Sequence, residues 1–206
     1  MARKTAEATE ETRQALLRAG LLVFSQQGYA ATRLEDVAQA AGVTRGAIYW
    51  HFKSKADLYA ALVDEASARL EQVIASARGD GGSFLAIMRR VMVRMLAYLA
   101  EDEMYRATQG LLLLKTGFAA DLRNTYQRQL GEIRAKEEEL AAIMRAGVVV
   151  GEFRADLDPV EGARAMLAYL DGVTFHWLLS PDTFSIVASA PALVDIYIRG
   201  IAARSE

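Results

Sequence analysis

Apolar side chains recur every three or four residues along almost the whole chain, and this period predicts an all-α protein. The clearest case lies between residues 32 and 55, where Gly42 separates two short amphipathic helices. Glycine can adopt a positive φ just past a helix end, and Thr44 is a suitable N-cap for the second helix. Thr32 and Glu35 have the spacing of a capping box for the first. The pattern therefore predicts a helix-turn-helix pair.

Seven further amphipathic segments bring the expected number of helices to nine. We expect these seven over residues 9–28, 54–77, 83–100, 104–116, 121–146, 159–179 and 191–203. A glycine-rich break follows the helix that begins at Ser54, and a loop with a short extended piece should precede Pro159. We therefore predict a two-domain fold, with a three-helix head over residues 1–53 and a larger helical body over residues 54–206.

Composition narrows the class of protein. A chain of 206 residues with 52% hydrophobic content can bury a sizeable core, and the absence of cysteine excludes disulfides and thiolate metal sites. No apolar run is long enough for a membrane span or a signal peptide, so we expect a soluble, cytoplasmic protein. Residues 1–58 hold eight Lys/Arg against six Asp/Glu, and the remainder holds sixteen against twenty. A mildly basic head on an acidic body fits DNA binding by the head alone.

The polar face of the second short helix suits the major groove of DNA. Arg45 and Tyr49 are four residues apart and share that face, with Gly46 beside them. Arginine can bind the O6 and N7 atoms of guanine bidentately, and an aromatic side chain can contact a thymine methyl or a phosphate. Helical spacing alone fits equally well with a helical hairpin whose polar face is only solvated.

The order of residues favours DNA binding. Residues 42–55 read Gly-Val-Thr-Arg-Gly-Ala-Ile-Tyr-Trp-His-Phe-Lys-Ser-Lys, and the segment closely resembles the recognition region of TetR-family transcriptional regulators. Within that family it is most similar to the AcrR-like repressors of multidrug efflux pumps. The ungapped likeness runs from about residue 1 to residue 63, whereas the body agrees more loosely, chiefly over residues 169–181. The resemblance implies a homodimer that binds a palindromic operator and is released by a small molecule.

The motif also assigns roles to residues in the head. Arg45 is expected to contact a base, and Tyr49 a thymine methyl or a phosphate, with Gly46 in the same surface. Contacts to the DNA backbone are expected from Thr32, Arg33, Thr44, Trp50, His51 and Lys55. The lysine lies at the start of the fourth helix, where the resemblance implies a phosphate contact and the alternative is a solvated surface lysine.

Two sets of residues in the body are candidates for the inducer site and the dimer contact. Methionine and aromatic side chains suit a permissive pocket for hydrophobic or aromatic compounds, although the same stripe is also typical of plain core. The ligand candidates are Phe84, Met88, Met92, Met95, Tyr98, Tyr105, Phe118, Tyr126, Tyr169 and Phe175. The last two helices carry more apolar surface than one body needs, which predicts a four-helix dimer interface. Its candidates are Leu170, Gly172, Trp177, Val194, Tyr197 and Ile201.

Nothing in the sequence indicates catalysis, a cofactor or a metal. His51 and His176 are the two histidines, and neither belongs to a recognisable nucleophile arrangement. There is no Gly-rich phosphate loop, no HExxH motif and no spacing typical of metal ligands. We therefore expect a regulator and not an enzyme. Two alternatives stay open: control of a different regulon, such as acyl or aromatic metabolism, and a DNA-binding dimer without a small-molecule switch.

Overall fold

The computed structural model describes residues 2–79, 81–117 and 119–203, with side chains from residue 7 onward. Over these ranges the chain forms nine α-helices, which confirms the predicted fold class. The helices are α1 (Ala2–Ala31), α2 (Leu34–Ala40), α3 (Arg45–His51), α4 (Lys55–Arg78), α5 (Phe84–Glu101), α6 (Glu103–Gly110), α7 (Arg123–Val149), α8 (Pro159–Leu179) and α9 (Ile186–Ile201). A π-helical turn, Leu111–Lys115, and a 3-10 turn, Ala120–Leu122, lie between α6 and α7.

The predicted helix ends were wrong in three places. Helix α1 begins at Ala2 and not near residue 9, although its regular part stops where expected, because Gly28 has a φ of 78°. Helix α7 continues to Val149, through residues predicted to be a loop. Helix α9 begins at Ile186, five residues before the predicted start at Pro191. The Ser185 hydroxyl caps α9 by accepting from the Ala188 N–H at 3.2 Å, so this proline is accommodated inside the helix.

The chain divides into two compact units whose limits differ from a simple split of the sequence. The first unit comprises residues 1–68 and 104–126, and the second comprises residues 69–103 and 127–206. Helix α4 therefore contributes its first half to one unit and its second half to the other. The predicted boundary after residue 53, between a DNA-binding and a ligand-binding part, stays a prediction about function.

The first unit packs α1, α2, α3 and the start of α4 around one apolar core. Among its fully buried large side chains are Leu16, Leu17, Phe24, Ile48, Leu58 and Tyr59, which come from α1, α3 and α4. Tyr29 joins this core, stacking on Phe24 at 5.6 Å between ring centres. Its hydroxyl donates to Asp121 Oδ2 at 2.6 Å, which fixes the 3-10 turn to the end of α1.

The second unit is organised around α5, which packs against α9 and α8. Arg89 of α5 donates to both carboxylate oxygens of Asp195 on α9, at 2.5 and 3.2 Å. The Tyr197 hydroxyl of α9 donates to the Gly162 carbonyl of α8 at 2.8 Å. These polar contacts join the three helices.

Among the residues that the structure describes, no helix combines the length and apolar composition that a membrane crossing needs.

Candidate nucleic-acid interface and ligand-binding body

The turn between α2 and α3 has the geometry that the sequence predicts. Gly42 adopts a φ of 68°, and the Thr44 hydroxyl accepts a hydrogen bond from the Ala47 N–H at 3.2 Å. Ile48 is fully buried, so the inner face of α3 is fixed against the core of the first unit. The opposite face of α3 is thereby turned to solvent.

Helix α2 is capped one residue later than predicted. Asp36, and not Glu35, completes the cap, since its carboxylate accepts from the Arg33 N–H at 3.0 Å. Thr32 is only 3% exposed, and its hydroxyl donates to the Gly28 carbonyl at 2.8 Å. This burial argues against the predicted phosphate contact by the Thr32 side chain, while Arg33 remains well exposed.

The structure brings Arg45 and Tyr49 together on the outer face of α3. The Arg45 guanidinium carbon lies 5.5 Å from the centre of the Tyr49 ring, a cation–π arrangement, and the arginine side chain is 74% exposed. Trp50 is 71% exposed and lies beside them in sequence. Gly46 completes this surface and leaves it open next to the arginine. A cationic and aromatic face of this kind can contact both bases and phosphates.

Glu35 of α2, which the sequence pattern places only in a cap, also contacts this face. Its Oε1 atom accepts from the Tyr49 hydroxyl at 3.1 Å and lies 3.2 Å from Arg45 Nη2. Arg33 Nε lies 3.9 Å from its other oxygen. A backbone N–H bond, the Tyr49 hydroxyl and the two guanidinium groups hold the pKa of Glu35 below its usual range. A charged carboxylate therefore lies within the face expected to bind DNA.

The two remaining backbone candidates have partners inside the protein. The Lys55 ammonium donates to the Tyr29 and Ala30 carbonyls at 2.8 and 3.1 Å and lies 4.4 Å from the centre of the Tyr29 ring. It thus supplies a hydrogen-bond donor to the backbone carbonyls at the end of α1, a role that the motif does not indicate. His51 is half-buried against Trp50, and burial, together with the charge of Arg13, lowers its pKa. Its imidazole is therefore held in the neutral form at neutral pH.

The predicted ligand-binding residues fall into three groups by burial. Met88, Met92 and Tyr105 are buried, Phe175 is exposed, and Phe118 lies outside the described residues. The half-buried candidates are Phe84, Met95, Tyr98, Tyr126 and Tyr169. Tyr105 and Tyr126 belong to the first compact unit, and the other described candidates belong to the second.

Within the second unit, a polar cluster lies at the end of α5. The Tyr98 hydroxyl donates to Asp102 Oδ2 at 2.7 Å, and Arg69 of α4 lies 3.4 Å from the same oxygen. Burial and the neighbouring carboxylate raise the pKa of Tyr98 to about 12. The tyrosine is therefore a neutral hydrogen-bonding group on the same helix as Met88, Met92 and Met95, and ligand sites combine polar and apolar groups of these kinds.

Most of the predicted dimer residues are buried by the chain itself. Leu170, Trp177, Val194 and Ile201 have little exposed surface, and the Trp177 indole N–H donates to the Phe184 carbonyl at 3.2 Å. Tyr197 is half-buried and hydrogen-bonded as described above. These side chains therefore have little surface left for a second subunit.

Gly172 differs from the other dimer candidates. It is exposed, and no described heavy atom lies within 4 Å of a Cβ built there. Phe175 and Leu179, three and seven residues further along, share its side of α8 and are exposed, and so is Ile196 of α9. His176 is exposed as well. We call Gly172, Phe175, Leu179 and Ile196 the α8–α9 face.

In the described part of the chain, no group of three or more His, Asp or Glu side chains is placed to hold a metal ion.

Comparison with known proteins covers both parts of the chain. The profile of the family "Bacterial regulatory proteins, tetR family" matches residues 16–62, and that of "MAATS-type transcriptional repressor, C-terminal region" matches residues 83–202. The chain is 33% identical over 196 residues to the HTH-type transcriptional regulator TtgR of Pseudomonas putida, covering 95% of this chain and 93% of that protein.

Solved structures of two repressors are similar along nearly the whole chain. One is NalD, the secondary repressor of the MexAB-OprM multidrug efflux pump in Pseudomonas aeruginosa, with a TM-score of 0.84, 28% identity and coverage of 95% of this chain and 98% of that one. The other is a complex of triclosan with SmeT, the repressor of the SmeDEF multidrug efflux pump of Stenotrophomonas maltophilia. Its TM-score is 0.79 at 27% identity, with coverage of 93% and 92%. The predicted likeness to repressors of multidrug efflux pumps is confirmed.

Proposed function

Because the chain belongs to the TetR family of bacterial regulatory proteins, we propose that it is a ligand-responsive repressor that controls a multidrug efflux operon. It binds a palindromic operator as a homodimer and is released by hydrophobic or aromatic compounds. The observation that carries this proposal is the face of α3, where Arg45 and Tyr49 lie exposed on a helix whose other side is buried. Operator DNA, a second copy of the chain and an inducer are thus its partners, and it acts in the cytoplasm.

The DNA-binding part of the proposal assigns each exposed side chain a role. Arg45 contacts guanine, Tyr49 a thymine methyl or phosphate, and Trp50 and Arg33 contact the backbone on either side. One α3 helix per subunit reads a half-site, so two-fold symmetry requires half-sites about one helical turn, roughly 34–36 Å, apart. Phosphate contacts position the helix and base contacts supply the specificity.

The dimer forms through the α8–α9 face. Ile196 is 58% exposed, and Gly172 allows a helix of the second subunit to approach closely. Exposed large apolar side chains of this kind favour burial between identical subunits. Four of the predicted dimer residues pack inside the subunit and do not form this face: Leu170, Trp177, Val194 and Ile201.

Inducer binding is assigned to the second unit. Met88 and Met92 supply adaptable apolar surface, and Tyr98 supplies a hydroxyl whose orientation Asp102 fixes. SmeT, a structural relative, has been captured with triclosan, which makes triclosan the first compound to try. The first part of α4 belongs to the DNA-binding unit, and Arg69 lies in its second part. A ligand that shifts Arg69 therefore moves a helix that continues into the DNA-binding unit. Release requires that the inducer bind the DNA-incompetent form more tightly.

The test is a binding assay on DNA upstream of the protein's own gene and its neighbours, at one fixed salt concentration. It is run without and with triclosan and a panel of hydrophobic aromatic and cationic drugs. Specific binding that a compound releases supports the inducible repressor. Specific binding that no compound releases favours a different regulon or a protein without a small-molecule switch. A Met92→Ala variant tests the inducer site itself, since its operator affinity should be unchanged while its response to the compound is weakened.

A further inference from the structure

Glu35 is a carboxylate in the face that the proposed function assigns to DNA, where phosphates would repel it. Its contacts are nevertheless specific: one oxygen binds both the Tyr49 hydroxyl and the Arg45 guanidinium, at 3.1 and 3.2 Å. These are the two side chains expected to reach the bases. A carboxylate that served only helix α2 would not need contacts to α3, and the cap of α2 is already made by Asp36.

We propose that Glu35 is a specificity-determining residue of the DNA-reading face. It holds the Arg45 guanidinium and the Tyr49 hydroxyl in position for the bases, and it repels phosphates at sites that offer no matching base. The assignment rests on the proposed function only in placing α3 against DNA.

The positioning follows from the geometry of the three side chains. An arginine has five N–H donors in a rigid plane, so Glu35 can engage Nη2 and leave the remaining donors for guanine O6 and N7. The Tyr49 ring is fixed at one end by its hydroxyl and on its face by the guanidinium. Arginine and tyrosine therefore approach DNA as one oriented pair, which loses less side-chain entropy on binding than two free side chains.

The net effect of Glu35 on affinity differs between non-specific DNA and the operator. At any duplex, the Glu35 carboxylate weakens binding by repelling phosphates, and non-specific binding depends almost wholly on such electrostatic terms. At the operator, the oriented pair offsets that repulsion through base contacts. Glu35 therefore lowers non-specific affinity while leaving operator affinity nearly unchanged, and the ratio of the two rises.

The experiment first selects an operator from a pool of random duplexes with the wild-type protein. Dissociation constants for that operator and for a scrambled duplex are then measured at one salt concentration. Glu35→Gln removes the charge but keeps an acceptor for the Tyr49 hydroxyl, and Glu35→Ala removes both. Glu11→Gln is the matched control, because Glu11 is exposed on α1 and its carboxylate has no described contact to α3. Circular dichroism of each variant verifies that it is folded.

We expect Glu35→Gln to bind the scrambled duplex roughly two- to fivefold more tightly, the size typical of an exposed charge pair. Affinity for the operator should change by less than about twofold or should fall. The specificity ratio therefore decreases, and it decreases further for Glu35→Ala. Glu11→Gln should leave the ratio unchanged. In an Arg45→Ala background, Glu35→Ala should no longer lower the ratio, which a purely structural role of Glu35 would not predict.

Two results would overturn the assignment. One is an equal gain in affinity for operator and scrambled DNA, which would mean simple repulsion. The other is the same fall in the ratio with and without Arg45, which would mean that Glu35 acts independently of the arginine. If the wild-type protein enriches no common sequence from the pool, the proposed function fails as well, so the two failures are distinguishable.

Discussion

Gly147 of α7 provides a stability test whose outcome depends on a single interatomic distance. A Cβ built at this position lies 2.5 Å from both Cδ2 and Cε2 of Phe153, whereas carbon atoms normally pack at about 3.5–4.0 Å. The ring would have to move by roughly 1 Å. Phe153 is 1% exposed, so its ring has little free space to move into. The Phe153 N–H also donates to the Gly147 carbonyl at 3.2 Å, which ties the two backbone positions together.

We expect Gly147→Ala to destabilise the protein. Overpacking costs about 1–3 kcal/mol, and this contact belongs near the upper end because an aromatic ring and not a flexible side chain must shift. Replacing glycine by alanine inside a helix returns up to about 1 kcal/mol. The net loss is then about 2 kcal/mol, which lowers Tm by about 4–8 °C in a chain of this size.

Gly131 in the same helix is the matched control. No described heavy atom lies within 4 Å of a Cβ at that position, so Gly131→Ala gains only helix propensity and should raise Tm slightly. Both variants are melted at the same protein concentration, because the melting temperature of a dimer depends on concentration. A Gly147→Ala protein as stable as the Gly131→Ala protein would refute the reasoning.

Three further predictions concern DNA binding and assembly. Arg45→Ala should weaken operator binding by about 1–3 kcal/mol and relax the sequence preference at one base pair, as measured by competition at matched salt; unchanged specificity would show that α3 is misplaced. Lys55→Ala should lower thermal stability, since it removes the donor to the Tyr29 and Ala30 carbonyls. If this lysine also contacts phosphate, the salt slope of DNA binding falls by about one, and an unchanged slope limits its role to α1. Ile196→Asp should convert the dimer to a monomer in sedimentation experiments and abolish operator binding, whereas Val149→Asp, at the exposed end of α7, should do neither.

Features that depend on residues close together in the sequence are predicted correctly. The turn at Gly42 and the cap at Thr44 depend on residues within one or two turns of helix, and both have the predicted geometry. The sequence predicts a start of α9 at Pro191 because proline favours the first turn of a helix, although Ser185 is an equally good cap farther upstream. Helix propensity alone does not decide between these two starting positions.

The sequence also does not show which side chains of a mostly apolar helix are buried. Trp177 and Phe175 are two residues apart on α8, and both were assigned from hydrophobicity, yet the tryptophan is buried and the phenylalanine exposed. When nearly every position is apolar, the helical period no longer identifies the inward face. The contacts of Glu35 to α3 cannot be predicted from the sequence, since they depend on the angle between two helices, which no residue pattern encodes.

The first compact unit is discontinuous in sequence, and this bears on how such a regulator could be re-engineered. Leu122 is fully buried and Asp121 accepts from Tyr29, so residues 104–126 complete a core that residues 1–68 begin. A chimaera made by exchanging only the N-terminal segment would join a foreign surface to these residues. New operator specificity is therefore better transplanted by changing the exposed residues of α2 and α3 while leaving both halves of this core in place.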